Sequence, residues 1–148
     1  MKGLMKIQLL ALFLAFGFIS FAQKENDKRL PNTIKEIANF NIYETTCTVG
    51  FAGDSSSQYQ RFNLLATLAT TQQLMMLATK HKNPVVRLYS YQALKKRNVE
   101  IPSSLLEKFK SDQNEVISLQ GCLAENTTVN KLTNQIFVAS ANYQLIKE

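Results

Sequence analysis

His81-Lys82-Asn83-Pro84-Val85-Val86-Arg87-Leu88-Tyr89-Ser90-Tyr91-Gln92-Ala93-Leu94 is the stretch on which the fold turns. Asn83 followed by Pro84 reads as a helix start. The asparagine side chain can accept from an orphan amide, and proline at the first helical position loses no hydrogen bond. Val86, Tyr89, Ala93 and Leu94 then recur at helical spacing, so the segment predicts a helix with a broad apolar face. Arg87 stands beside that face, where it can reach acidic or carbonyl groups of a neighbouring turn. Ser90 and Ala93 are small enough to let a second helix approach.

Working outward, further starts fit the capping-box spacing: Thr33 with Glu36, Ser55 with Gln58, Thr70 with Gln73, Ser104 with Glu107, and Asp112 with Glu115. Thr127 or Thr128 can open a last helix. Apolar stripes accompany them: Ile34, Ile37 and Ala38; Tyr59, Phe62, Leu65 and Leu68 or Ala69; Leu74, Leu77 and Ala78; Leu105, Leu106 and Phe109. Val129, Leu132, Ile136, Ala139, Tyr143 and Ile146 keep the 3-4 step to the end. Residues 44 to 53 differ, being rich in β-branched side chains and ending in glycines, so they are expected to be extended or looped. Asp54, Asn83 and Asp112 lie at equal intervals, each at an expected helix start, which suggests a repeating helix pair.

The pattern Asn83-Pro84, Val86-Arg87, Ser90, Ala93-Leu94 resembles the second helix of a HEAT repeat. The whole layout is similar to small secreted HEAT-repeat-like proteins of Bacteroidetes type. That resemblance implies an all-α fold, a short α-solenoid of antiparallel helix pairs. Asn83, Pro84, Val86, Arg87, Ala93 and Leu94 would be its repeat-forming residues. The expected organisation is a leader over 1–22, a helix and extended loop over 23–53, and repeats with a capping helix over 54–148.

The leader is read from the residues themselves. Lys2 and Lys6 precede an apolar run from Ile7 to Phe21, and Ser20-Phe21-Ala22 offers small residues for cleavage. Charged, then apolar, then small is the order of a secretory signal peptide, and the run is too short to span a bilayer comfortably. The expectation is an exported protein, periplasmic or extracellular, with no stable membrane insertion after cleavage. Without the leader the chain carries 15 basic and 11 acidic residues, a mild net +4. In an oxidising compartment Cys47 and Cys122 are the only possible pair, and closing that long loop would stabilise the fold by roughly 4 kcal/mol.

No chemistry is legible. His81 is the single histidine, and it has no serine, cysteine or carboxylate at a motif spacing. One histidine and two distant cysteines do not make a zinc site, and Gly50 to Gly53 lacks the lysine of a phosphate loop. Neither enzyme activity, nor metal, nor cofactor is expected. Lys80, Lys82, Arg87, Lys95, Lys96 and Arg97 form a basic cluster containing Tyr89 and Tyr91. Export argues against nucleic acid and leaves an acidic protein or an anionic envelope component. The expected function is a non-catalytic protein-binding module, with Lys82, Tyr91 and Lys95 as candidate binding residues. The alternatives are an inhibitor or protective protein acting on a secreted enzyme or toxin, and a binder of anionic lipid or glycan at the envelope.

Overall fold

The computed structural model describes residues 28–136. The leader and the end of the C-terminal stripe (Ala139, Tyr143, Ile146) lie outside them. The described chain is mixed α/β, and the all-α solenoid is therefore corrected. Helical residues 28–40 (α1) lead into β1 (Ile42–Val49) and the short β2 (Asp54–Ser55). Four helices follow: α2 (Ser57–Leu68), α3 (Thr71–Lys80), α4 (Pro84–Lys96) and α5 (Ser103–Ser111). Strands β3 (Glu115–Gly121) and β4 (Leu123–Thr128) precede the helical residues 129–136 (α6). The sheet order is β2-β1-β3-β4, with β1 parallel to β3 and the other two pairings antiparallel. Ile42 pairs with Ile117, so the sheet joins the two halves that the sequence divides at residue 53.

The solenoid expectation fails where its repeat is counted. Asp54 sits in β2 opposite Val49, and Asp112 ends α5 instead of opening a helix. Asp112 is not free to cap a further helix, because its carboxylate is taken by Arg87 and Asn114. The segment after it alternates. Val116 and Ser118 are buried while Glu115, Ile117 and Gln120 are exposed, the period of a strand with one face on the core. Gly121 then turns the chain at φ 57°, with Gln120 opposite Leu123, the geometry of a two-residue hairpin with glycine in its first position. Of the equally spaced positions, Asn83 alone opens a helix.

Several helix starts shift as well. Thr33 lies inside α1, where its hydroxyl donates to the Arg29 carbonyl at 2.9 Å. The cap of α2 is Ser56, accepting from Tyr59 N at 2.8 Å, one residue beyond the expected Ser55. Helix α5 starts after Pro102 with no side-chain cap. Thr70 and Gln73 do form a reciprocal capping box at the start of α3.

Helix α4 is the centre of the molecule. Val85 to Tyr91, Ala93 and Leu94 are all buried, the polar Arg87 and Ser90 among them. Its aromatic rings link the layers: Tyr89 lies 4.9 Å from Tyr43 of β1 and 5.2 Å from Phe62 of α2, and Tyr91 lies 4.7 Å from Phe109 of α5. The Tyr89 hydroxyl accepts from Glu44 N at 2.9 Å and donates to Glu44 O at 3.0 Å. Because β2 pairs with β1 only at Thr48 and Val49, Tyr89 supplies at Glu44 the two bonds that a neighbouring strand would otherwise make.

The expected Cys47–Cys122 staple is also corrected, since both cysteines are free and exposed. The β1–β3 register slips between Glu44 and Val49, so Cys47 falls in the bulged stretch. There it is Thr46 that reaches β3, its hydroxyl accepting from Gly121 N at 3.1 Å. Cys122 occupies the hairpin turn, with its thiol 3.3 Å from the Gly50 carbonyl.

Candidate functional site

A groove of about 520 Å³ runs between α1 and α3. On α1, Leu30, Ile34 and Ala38 follow one another by four residues and so share a face. Pro31, Lys35 and Asn39 form the adjacent row, and Gln73, Met76 and Leu77 of α3 make the opposite wall. His81 and Lys82 close one end at the turn into α4. The stripe Leu74, Leu77, Ala78 turns Leu74 and Ala78 into the core and leaves Met76 at 55% exposure. The floor is apolar and the rim carries Lys35 and Lys82.

Asn83 joins the end of α1 to the start of α4, beside one end of the groove. Its Oδ1 accepts from Val86 N at 3.0 Å, capping α4. Its Nδ2 donates to Asn41 Oδ1 at 2.7 Å and to the Ala38 carbonyl at 3.3 Å, tying down the end of α1. Asn41 itself takes a positive φ of 54°, a conformation asparagine tolerates better than most residues, and this lets α1 stop and β1 begin. One amide thus holds the end of α1 against the start of α4.

Behind His81 lies a smaller polar pocket of about 310 Å³ lined by Arg87, Lys108, Asp112 and Asn114 among others. Arg87 and Asp112 have side-chain exposures of 8% and 7%, with Nη2–Oδ2 at 2.5 Å and Nε–Oδ2 at 3.1 Å. Arg87 Nη1 donates to the His81 and Lys82 carbonyls, both at 3.0 Å. Burial raises the Asp112 carboxyl, but hydrogen bonds from Asn114 and Arg87 outweigh it and hold the group below its ordinary range. The His81 ring is lowered chiefly by burial, with repulsion from Arg87 and Lys82 adding to it. His81 Nδ1 accepts from Asn83 N at 3.2 Å, so the neutral ring carries its proton on Nε2.

The candidate residues scatter. Lys82 is exposed and lines the groove. Lys95 is half-buried near the far end of α4. Tyr91 is corrected: it is fully buried, because α4 has no exposed face at that position. Pro84 occupies the first turn of α4, and Val86, Ala93 and Leu94 are in the core. The rest of the basic cluster is largely structural. Arg97 Nη2 donates to the Ala66 and Ala69 carbonyls at 2.5 and 2.7 Å, satisfying the C-terminal end of α2. Sequence reasoning missed the groove. The available signal was Met76, a large apolar residue off its helix's buried stripe.

Among the described residues, no group of three or more histidine, cysteine or acidic side chains could hold a metal ion. No helix there is long and apolar enough to cross a membrane. No protein-family model matches the chain, and no curated protein is detectably similar to it. The resemblance to HEAT repeats therefore rests on residues 81–94 alone.

Proposed function

We propose that this chain is an exported, non-catalytic protein that binds another protein by taking an apolar segment with acidic flanks into the α1–α3 groove. One observation carries this: an open trough with an apolar floor and a rim bearing Lys35 and Lys82. Leu30 to Ala38 spans about 12 Å at 1.5 Å per residue, enough for one or two side chains of an extended or helical segment. Burying one large apolar side chain there would contribute about 1.5–3 kcal/mol, and exposed rim charges about 0–1 kcal/mol each. The rim thus selects the sign of the partner while the floor supplies most of the affinity. The order of charged, apolar and small residues over 1–22 supports export.

The test places a photo-crosslinking residue in the groove, as Met76→p-benzoylphenylalanine, in the full chain produced in its native cells. Lys110, exposed on α5, takes the same substitution as a control. One protein species cross-linked from position 76 and not from 110, whose purified form binds at least tenfold more weakly to Met76→Glu, is the expected result. No adduct, or the same adducts from both positions, would overturn the reading.

A further inference from the structure

The end of the sheet opposite α1 carries an apolar finger. Gly50-Phe51-Ala52-Gly53 joins β1 to β2, with Gly50 and Gly53 at φ 75° and 70° and Gly53 N donating to Gly50 O at 3.2 Å. Phe51 between them is fully exposed. The β3–β4 turn lies alongside, since Gly50 N donates to Gly121 O at 3.0 Å, and it presents Leu123 at 77% exposure. An exposed phenylalanine beside an exposed leucine is an unusual choice for a surface turn that meets only water. Asp54 follows the finger directly and Glu125 follows Leu123 by two residues, while no lysine or arginine lies in 44–56 or 115–128. The finger is apolar with acidic flanks; the α1–α3 groove is apolar with a basic rim.

We infer that the groove's occupant is the Phe51 finger of a second copy of this chain. The inference rests on the groove reading above and names its partner. Within one copy a strand separates the finger from the groove. β1 carries the chain away from the end of α1 for eight residues, about 26 Å of extended chain at 3.3 Å per residue. The contact is head-to-tail, because finger and groove are different surfaces, so association continues into open chains or closes into a ring. Asp54 faces Lys35 and Lys82 in such a contact, and salt weakens it.

Two surface variants test this without touching the core. Phe51→Ser removes the finger and keeps the groove; Met76→Glu spoils the groove and keeps the finger. Protein purified after expression of the full chain is followed by sedimentation velocity across a broad concentration range. The wild type should rise in mean mass with concentration, and each variant alone should stay monomeric. An equimolar mixture of the two should stop at a one-to-one dimer, because that pair has one intact finger and one intact groove. A wild type that stays monomeric throughout would overturn the inference, as would variants that still associate or a mixture that does not pair. A foreign protein cross-linked from position 76, with the wild type monomeric, would overturn the self-association and leave the groove reading standing. Absence of any adduct from position 76 would overturn both, and an adduct formed within a single chain would overturn the second-copy occupant.

Discussion

The α3–α4 hairpin and the paired turns at the end of the sheet treat their polar and apolar groups in opposite ways. Around residues 81–94 almost every demanding group is answered. Asn83 caps one helix and ties another, Arg87 meets Asp112 and two carbonyls, and α4 exposes no apolar face. Around residues 47–53 and 121–123, Phe51, Leu123 and both thiols face solvent. Stability is concentrated in the first region, so substitutions there should be expensive. The second region can change with little effect on the fold, as a surface used for contact should.

The comparison is tested hardest at Arg87. Arg87→Ala would leave the buried Asp112 carboxylate unpaired and release the His81 and Lys82 carbonyls. Losing one partner of a buried pair costs about 3–5 kcal/mol, which the urea midpoint would report. A loss under about 1 kcal/mol would place the pair among exposed ion pairs and dissolve the contrast. Tyr89→Phe is the next step down. The ring stays packed, but Glu44 N and O lose the hydroxyl that serves both, at a cost of about 1–3 kcal/mol. An unchanged midpoint would mean that β1 does not depend on Tyr89 at its open edge.

Acidification sharpens the same contrast, because both shifted groups belong to the hairpin region. The folded His81 ring is lowered from 6.5, so below that pH the unfolded chain takes up the proton first and stability falls until the folded ring protonates. Asp112 is lowered too. Its contribution is present above the ordinary aspartate value of about 3.9 and is lost as pH falls through the folded value. Urea midpoints measured from pH 8 down should decline in two limbs. His81→Asn should flatten the upper limb and Asp112→Asn the lower. A profile that either variant leaves unchanged would remove that residue from the linkage.

How much of this was legible divides along the same line. The hairpin's reading rested on local chemistry, since Asn-Pro at a helix start and an arginine one residue past a buried valine act within a turn or two. Helix stripes at 62–65, 74–78 and 105–109 were likewise local: Phe62, Leu65, Leu74, Ala78, Leu105 and Phe109 are buried, with Leu77 and Leu106 partly so. The extended or looped reading of 44–53 overlaps β1, but the sheet's pairing was not legible because its partners are distant in the chain: Ile42 finds Ile117. Glu115 to Gly121 also imitated a capped helix, with Asp112 and Glu115 at box spacing, and its alternation of Val116 and Ser118 was overridden by the apparent repeat. The groove was hidden for a related reason. It needs α1 and α3 side by side, and the contact beside it, Asn83 at the start of α4 reaching Asn41 at the end of α1, is one no spacing rule announces.

The smallest expected effects lie at the turns, and they bear most directly on the expected staple. Phe51→Ser should change stability by no more than about 0.5 kcal/mol, as exposed substitutions usually do. The thiols give the finer measurement. With Cys47 and Cys122 both free and exposed, native protein should take up two equivalents of maleimide without prior reduction, nearly as fast as in denaturant. Resistance until reduction would mean that the bulged stretch of β1 and the β3–β4 turn are covalently joined. Such a bond would fasten together the turns that carry Phe51 and Leu123, and the apolar end of the sheet would then belong with the rigid half of the molecule. Uptake of both labels keeps it apart, held at Gly50 and Gly121 by backbone hydrogen bonding and at Thr46 by a hydroxyl.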